Sequence, residues 1–125
     1  MSPARGHALG RLAEEAASDH LVARGFCILG QNVRLGALEL DIVACKDDLL
    51  LVVEVKARKP GALLGPLASV GKTKRARLLR ATAALLRTPP FPLGETTRVR
   101  IDVCAVHRDG GSTAVEWFEG AVTGK

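Results

Sequence analysis

The stretch LLLVVEVKARK, residues 49–59, decides how this chain folds. Its first five residues are apolar and include β-branched Val, which is typical of a strand buried on both faces of a sheet. Glu54 and Lys56 follow two residues apart, so their side chains lie on the same face of that strand. Because a buried carboxylate needs a partner, the pattern indicates one of two things: an ion pair where the strand leaves the core, or part of a metal-dependent active site.

An alternating stretch at residues 38–44 and a polar break at residues 45–48 precede this strand and predict an antiparallel hairpin. With two or four residues in the connection, one face of the hairpin carries Asp41 opposite Val52, Glu39 opposite Glu54, and Lys56. Clustered carboxylates raise one another's pKa unless a cation lies among them. Carboxylate oxygens suit Mg²⁺ or Mn²⁺, so we predict a divalent metal site; a solvated ladder of charges is the alternative.

The rest of the chain predicts two helices and three further strands. Helical periodicity covers residues 8–24 and runs from residue 69 or 71 to about 87, whereas strand patterns cover residues 26–33, 98–106 and 113–118. In the second helix the expected buried stripe is Ala76, Leu79, Ala83 and Leu86. We expect one domain over residues 1–125, with its core at about 8–119 and a frayed tail from residue 120.

Composition limits the function classes. The chain has 125 residues, 18 Lys and Arg against 13 Asp and Glu, and a net charge of +5, which favours a polyanionic partner. Its three Cys residues show no ligand spacing, so neither a disulfide framework nor a zinc site is expected. Neither a signal peptide nor a membrane span is apparent in the sequence. We therefore expect a cytoplasmic protein with no membrane partner.

The second predicted helix is strongly basic, and no acidic residue lies between Ala57 and Gly94. A charge run is usually a solvated face, but an unbalanced run next to the proposed site indicates a phosphate track. The candidate nucleic-acid contacts are Arg34, Arg58, Lys72, Lys74, Arg75 and Arg77.

The acidic and basic residues also carry a resemblance to known nucleases. Asp41 followed by Glu54-Val55-Lys56 resembles the D…(D/E)-x-K signature of restriction-endonuclease-like nucleases. Over about residues 8–122 the chain resembles the YraN family of predicted bacterial nucleases at Gly10 through Glu14, Ala17, Leu21, Gly25-Phe26, Asn32, Arg34, Glu39-Leu40-Asp41, Val53 through Arg58, Gly65-Pro66, Val70, Lys74, Arg100 through Val103 and Glu116-Trp117.

This resemblance implies an α/β fold with a restriction-endonuclease-like αβββαβ core, in which helices flank a mixed central sheet. The catalytic set that it implies is Glu14, Asp41, Glu54 and Lys56. It also implies a metal held by Asp41, Glu54 and the Val55 carbonyl, with Glu39 as an auxiliary residue. Leu38 and Ala13 depart from the family pattern, each standing where Gly is common. Resolvase-like relatives act as homodimers, so a homodimer is expected here.

Together these patterns predict a Mg²⁺- or Mn²⁺-dependent endonuclease that hydrolyses phosphodiester bonds. DNA is favoured over RNA as the substrate, and the resolvase-like resemblance extends this to branched, Holliday-junction-like DNA. The alternative is a non-catalytic nucleic-acid-binding protein, associated with RNA or the ribosome, that keeps the nuclease scaffold. A purely structural partner protein is a third reading.

Overall fold

Five β-strands form one mixed sheet with a helix on each face in this computed structural model. The elements are α1 (Arg5–Ala23), β1 (Cys27–Leu35), β2 (Leu38–Lys46), β3 (Leu49–Arg58), α2 (Lys72–Arg87), β4 (Arg98–Asp109) and β5 (Ser112–Val122). The structure describes residues 5–58, 71–109 and 111–123, without the side chains of residues 5–9, 58, 108 and 109. The predicted α/β class and αβββαβ order are confirmed, and β5 follows them as a further strand.

The strands lie in the order β1-β2-β3-β4-β5, and β3 is their centre. Neighbours are antiparallel except β3 and β4, which are parallel and are joined through α2. Leu51 and Val53 pack in the core beneath α1, whereas Leu50 and Val52 pack in the core beneath α2, and all four are 0% exposed. The central strand is therefore buried on both faces, as its apolar run predicts.

The β2–β3 hairpin has a different register from the predicted one. Its strands pair from Lys46–Leu49 to Ile42–Val53, so Val43 lies opposite Val52, and the placements of Asp41 opposite Val52 and Glu39 opposite Glu54 were wrong. Residues 45 and 46 continue β2 instead of joining the turn, and the Lys46 ammonium donates to the Arg24 carbonyl at 2.7 Å. The observed register differs from the predicted one by two residues, so the side chains of β2 stay on the predicted face of the sheet. Asp41 comes level with Glu54, one position beyond the last pair, Ile42–Val53.

Helix α2 also presents a different face to the sheet from the predicted one. The buried residues are Leu78, Ala81, Thr82 and Leu85. Leu86, from the predicted stripe, is 46% exposed. The helix is rich in Ala and Leu, so its apolar pattern suits more than one rotation about the axis. The observed rotation places Lys74, one turn before Leu78, on the sheet side of the helix.

One smaller expectation also changes. Residues 120–122, predicted to fray, belong to β5, and the Gly120 amide donates to Asp102 Oδ1 at 2.8 Å; residues 124 and 125 lie outside the described part. Cys27 and Cys45, distant in sequence, are opposite each other in the β1–β2 ladder as free thiols. Within the described ranges, no helix has the length and hydropathy needed to cross a membrane.

Candidate metal centre

The candidate site begins where β2 and β3 separate, beyond the Ile42–Val53 pair. There the Val55 amide donates to Asp41 Oδ2 at 2.8 Å, so a side-chain carboxylate takes the role that a backbone carbonyl would have in a continuing ladder. This bond satisfies a β3 donor and fixes the Asp41 carboxylate against β3. Separation of the strands thus creates the site and orients its first carboxylate.

Glu54 is the second carboxylate, and it is only 5% exposed. Its Oε2 atom lies 3.5 Å from the Lys56 ammonium and 2.7 Å from the Lys74 ammonium. Lys56 reaches it along β3, as the spacing of two residues predicts, and Lys74 reaches it from α2. Two positive charges therefore offset the burial of one negative charge.

Asp41 shows the electrostatic consequence of this crowding. Burial and the neighbouring Glu54 charge raise the pKa of Asp41 to about 7, and the Glu14 charge adds to the effect, although the Val55 amide opposes it. Burial lowers the pKa of Lys56, and the nearby Lys74 lowers it further. Repulsion between carboxylates of this kind is relieved when a cation binds between them.

These two carboxylates border a cavity of about 350 Å³. Its walls are Ala37, Leu38, Glu39, Asp41, Glu54, Val55, Lys74, Arg77 and Leu78. Mg²⁺ commonly binds one or two carboxylates and completes its shell with water and a substrate phosphate. The donor set and the space beside it therefore fit a divalent ion of this kind.

Glu14, the predicted third carboxylate, lies at the edge of this group. Its Oε1 accepts a hydrogen bond from Asn32 Nδ2 at 3.1 Å, and Asn32 adopts a left-handed backbone with φ of 49°. Across the part of the chain that the structure describes, no three His, Cys, Asp or Glu side chains are placed to share one metal ion. The structure thus brings Asp41 and Glu54 together and leaves Glu14 within electrostatic reach of Asp41.

The remaining predicted residues surround the cavity unevenly. Glu39 lies on its wall and forms an ion pair with Arg34 at 3.6 Å, and Arg77 lies on the wall contributed by α2. Lys72 and Arg75 are exposed on the same helix. The side chain of Arg58 lies outside the described part, so its predicted phosphate contact stays a prediction, as does the Val55 carbonyl as a metal ligand.

Sequence reasoning missed two partners within this site. Lys74 was assigned to the phosphate track, but it forms the shortest ion pair with Glu54. Lys74 lies four residues before Leu78 and therefore on the same face of α2. Once Leu78 is known to be buried against the sheet, this spacing predicts that Lys74 also faces the sheet. Asn32 was noted only as part of the family pattern; Asn tolerates a left-handed backbone better than most residues, and that conformation accompanies its bond to Glu14.

Comparison with known proteins identifies the family and finds a weak likeness to solved structures. The model of "Uncharacterised protein family UPF0102" matches residues 13–106. A UPF0102 protein of Arthrobacter sp. is 42% identical over 113 residues, which are 90% of this chain and 93% of that protein. The UPF0102 protein of Acidothermus cellulolyticus is 39% identical over 122 residues, covering 91% of this chain and 92% of that one. The UPF0102 protein of Sorangium cellulosum is 36% identical over 115 residues, covering 91% and 80%.

The solved structure of Pyrococcus furiosus SfsA in complex with Ca²⁺ is similar at 14% identity and a TM-score of 0.45. The alignment covers 94% of this chain but 65% of that one. A likeness of this size carries no argument about activity.

Proposed function

We propose that this chain, which belongs to the UPF0102 (YraN) family, is a Mg²⁺- or Mn²⁺-dependent endonuclease that hydrolyses phosphodiester bonds in DNA. The family description names no activity, so the proposal rests on the site. The observation that carries it is the convergence of Asp41 and Glu54 beside Lys56, with the pKa of Asp41 raised to about 7 by burial and by Glu54.

A divalent ion bound by Asp41 and Glu54 would lower the pKa of a bound water and offset charge on the phosphoryl oxygens. Within the chain, the Val55 amide holds one Asp41 oxygen, and Asp41 lines the cavity beside Glu54. Lys56 positions the attacking water and stabilises negative charge as it develops. Glu14 acts through water on Asp41, and Arg77 holds a flanking phosphate of the substrate.

A second candidate is a nucleic-acid-binding protein without turnover. It is favoured by the two ammonium groups that already neutralise Glu54 and by the position of Glu14, which bonds Asn32 at the edge of the site. A protein of this kind needs the basic surface of α2 but no metal. The two candidates differ in what divalent ions do, which makes them separable by one experiment.

The experiment incubates the purified protein with labelled four-way, flapped and linear DNA and with RNA, in Mg²⁺ or Mn²⁺. We expect cleavage of DNA that requires the metal. Asp41→Asn and Lys56→Met should each lower the rate by about 100-fold or more, because the first weakens metal binding and the second removes the group that orients water. Binding without cleavage by the wild type, or cleavage by both variants at the wild-type rate, would exclude the endonuclease.

Helix α1 offers a matched control for Glu14. Glu15 is its neighbour, is exposed, and has the same side chain. Glu14→Gln should lower the cleavage rate by roughly 10- to 100-fold, as expected for a group that acts through another ligand, whereas Glu15→Gln should leave it unchanged. Sedimentation of the same samples tests the proposed homodimer, in which two sites would act on one substrate.

A further inference from the structure

Lys74 lies at a junction between the candidate metal site and the basic helix. Its ammonium is 2.7 Å from Glu54 Oε2, closer than that of Lys56 at 3.5 Å. The Glu54 side chain is 7% exposed and that of Lys74 is 39% exposed, so one end of this ion pair is buried and the other borders solvent. Lys74 and Arg77 lie on the same cavity wall.

The electrostatic environment at the start of α2 favours an ion pair between Lys74 and a negatively charged group. The first turn of the helix contains no acidic residue, and its N-cap, Gly71, supplies no side-chain hydrogen bond. Positive charge in the first turn opposes the helix dipole. Burial alone would lower the pKa of Lys74, but its hydrogen bond to Glu54 and the charges of both carboxylates raise it. An anion near this helix end therefore stabilises both the lysine and the helix.

We propose that Lys74 exchanges partners, serving as the counter-ion of Glu54 in the metal-free protein and as a ligand of a nucleic-acid phosphate once a divalent ion binds. This inference rests on the proposed metal site. Lys74 is thus a positioning residue that links the metal to the substrate.

Electrostatics gives the exchange its direction. A divalent ion bound between Asp41 and Glu54 would repel the Lys74 ammonium. It would also neutralise the Glu54 charge that attracts this ammonium. The flexible four-carbon stem of Lys74 can then move its ammonium towards solvent, where the side chain is already partly exposed. A phosphate next to the helix start would lie near Lys74, Arg77 and the first backbone amides of α2.

Partner exchange has a thermodynamic consequence. If the metal frees Lys74 for phosphate, the metal must raise the affinity for nucleic acid, and nucleic acid must raise the affinity for the metal by the same factor. Loss of the lysine charge should separate these two effects: the metal loses a competitor, and the nucleic acid loses a ligand.

The test measures Mn²⁺ binding to the protein alone by calorimetry. Lys74→Met should bind Mn²⁺ about tenfold more tightly than the wild type, within the usual range of coupling between sites. Lys74→Gln, which keeps a hydrogen-bond donor without the charge, should show the same gain. Lys74→Arg and Lys72→Met are the controls, since the first keeps the charge and the second removes an exposed lysine from the same turn; both should match the wild type.

A second measurement follows the anisotropy of a labelled DNA duplex with and without Ca²⁺ at constant ionic strength. Ca²⁺ should tighten DNA binding by the wild type and by Lys72→Met, but not by Lys74→Met. Equal or weaker Mn²⁺ binding by both neutral Lys74 variants would overturn the exchange and leave the metal site standing. Failure of the wild type and of every variant to bind Mn²⁺ would instead overturn the metal site and the exchange together.

Discussion

Asp41 is a carboxyl group that folding makes harder to ionise. Its pKa rises from 3.8 to about 7 because it is buried beside the charge of Glu54. Between these pH values Asp41 binds more protons in the folded protein than in the unfolded chain, so its contribution to the free energy of unfolding falls as the pH rises from about 4 to about 7. Above about pH 7 the folded protein bears the full free-energy cost of ionising Asp41. Below about pH 4 this cost disappears, because the carboxyl group is protonated in both states.

Asp41→Asn should remove this pH dependence. In a chelator, at about pH 8, the variant should be more stable than the wild type by on the order of 2 kcal/mol, because Asn can accept the Val55 hydrogen bond without a charge. The difference should shrink as the pH falls through 7 and vanish near pH 4. Urea denaturation at several pH values measures it, with Asp19→Asn, an exposed residue of α1, as the control. A constant difference at every pH would contradict the assignment.

Asp102 is a buried carboxylate outside the candidate site, and it has a complete set of donors. It is 0% exposed and accepts from Arg100 Nε and Nη2, both at 2.9 Å. Trp117 Nε1 and the Gly120 amide also donate to it, each at 2.8 Å. This carboxylate therefore joins β4 to β5 through the side chains and main chain around it.

Asp102→Ala should destabilise the protein by about 3–5 kcal/mol, because it leaves Arg100 without its buried partner. Asp48 supplies a matched control: it also makes a two-pronged contact with an arginine, Arg98, but its side chain is 47% exposed. Asp48→Ala should change stability little. Urea midpoints measure both, and similar losses in the two variants would contradict this reading of burial.

The sequence predicted which residues form the site better than it predicted which of them contact one another. Glu54 and Lys56 are two apart in one strand, so local geometry alone predicts that they share a face. Lys74 reaches Glu54 from a different element, and its contact depends on how α2 is rotated. Rotation is set by packing against the sheet, which a single apolar pattern rich in Ala does not determine.

At the level of elements, Gly30 is required by a close approach between β1 and the loop before β4. A Cβ atom there would lie 2.8 Å from the Phe91 ring and 2.9 Å from Val33 Cγ2. The β1–β2 register also shifts between Ile28 and Gly30, which places Gly30 beside an irregularity in the ladder. The Phe91 ring and the Val33 side chain thus lie against the backbone of the edge strand.

Gly30→Ala should destabilise the protein by about 1–3 kcal/mol, as expected when an extra carbon is forced into a packed region. Gly10 is the control, because a Cβ atom on this residue of α1 would meet nothing within 4 Å. Gly10→Ala should leave stability unchanged or raise it by up to about 1 kcal/mol through helix propensity. Thermal melts compare the two; equal effects would contradict the packing argument.

The elements themselves were predictable because their periodicities are distinct, but their relative placement was not. The extended β2 strand shows this: residues 45 and 46 look like part of a polar turn, yet they pair with β3. Their inclusion depends on a contact of Lys46 with the end of α1, which no local pattern reveals. A shift of two residues preserved the face, so the candidate site survived an error in the register.

At the scale of the whole molecule, the charge of +5 is expected to act through exposed residues of α2. Lys72→Gln and Arg75→Gln should each weaken DNA binding and reduce the slope of log affinity against log salt by about 1, because each removes one phosphate contact. Arg98→Gln, whose native guanidinium is paired with Asp48, should leave the slope unchanged. Anisotropy over a range of KCl concentrations measures the slopes. Wild-type slopes in both Lys72→Gln and Arg75→Gln would exclude α2 as the phosphate track.

The stacked pair of His20 and Trp117 gives the molecule an internal optical reporter. Trp117 is the one tryptophan of the chain, and its ring lies 4.8 Å from that of His20 at an angle of 9°. The pair joins β5 to α1 on the opposite face of the sheet from α2. Burial, together with the Arg24 charge, lowers the pKa of His20, which favours the neutral form of the ring. The fluorescence emission of Trp117 should therefore change when α1 detaches from the sheet. Because the pair lies away from α2, this signal should distinguish loss of structure from metal binding at Asp41 and Glu54.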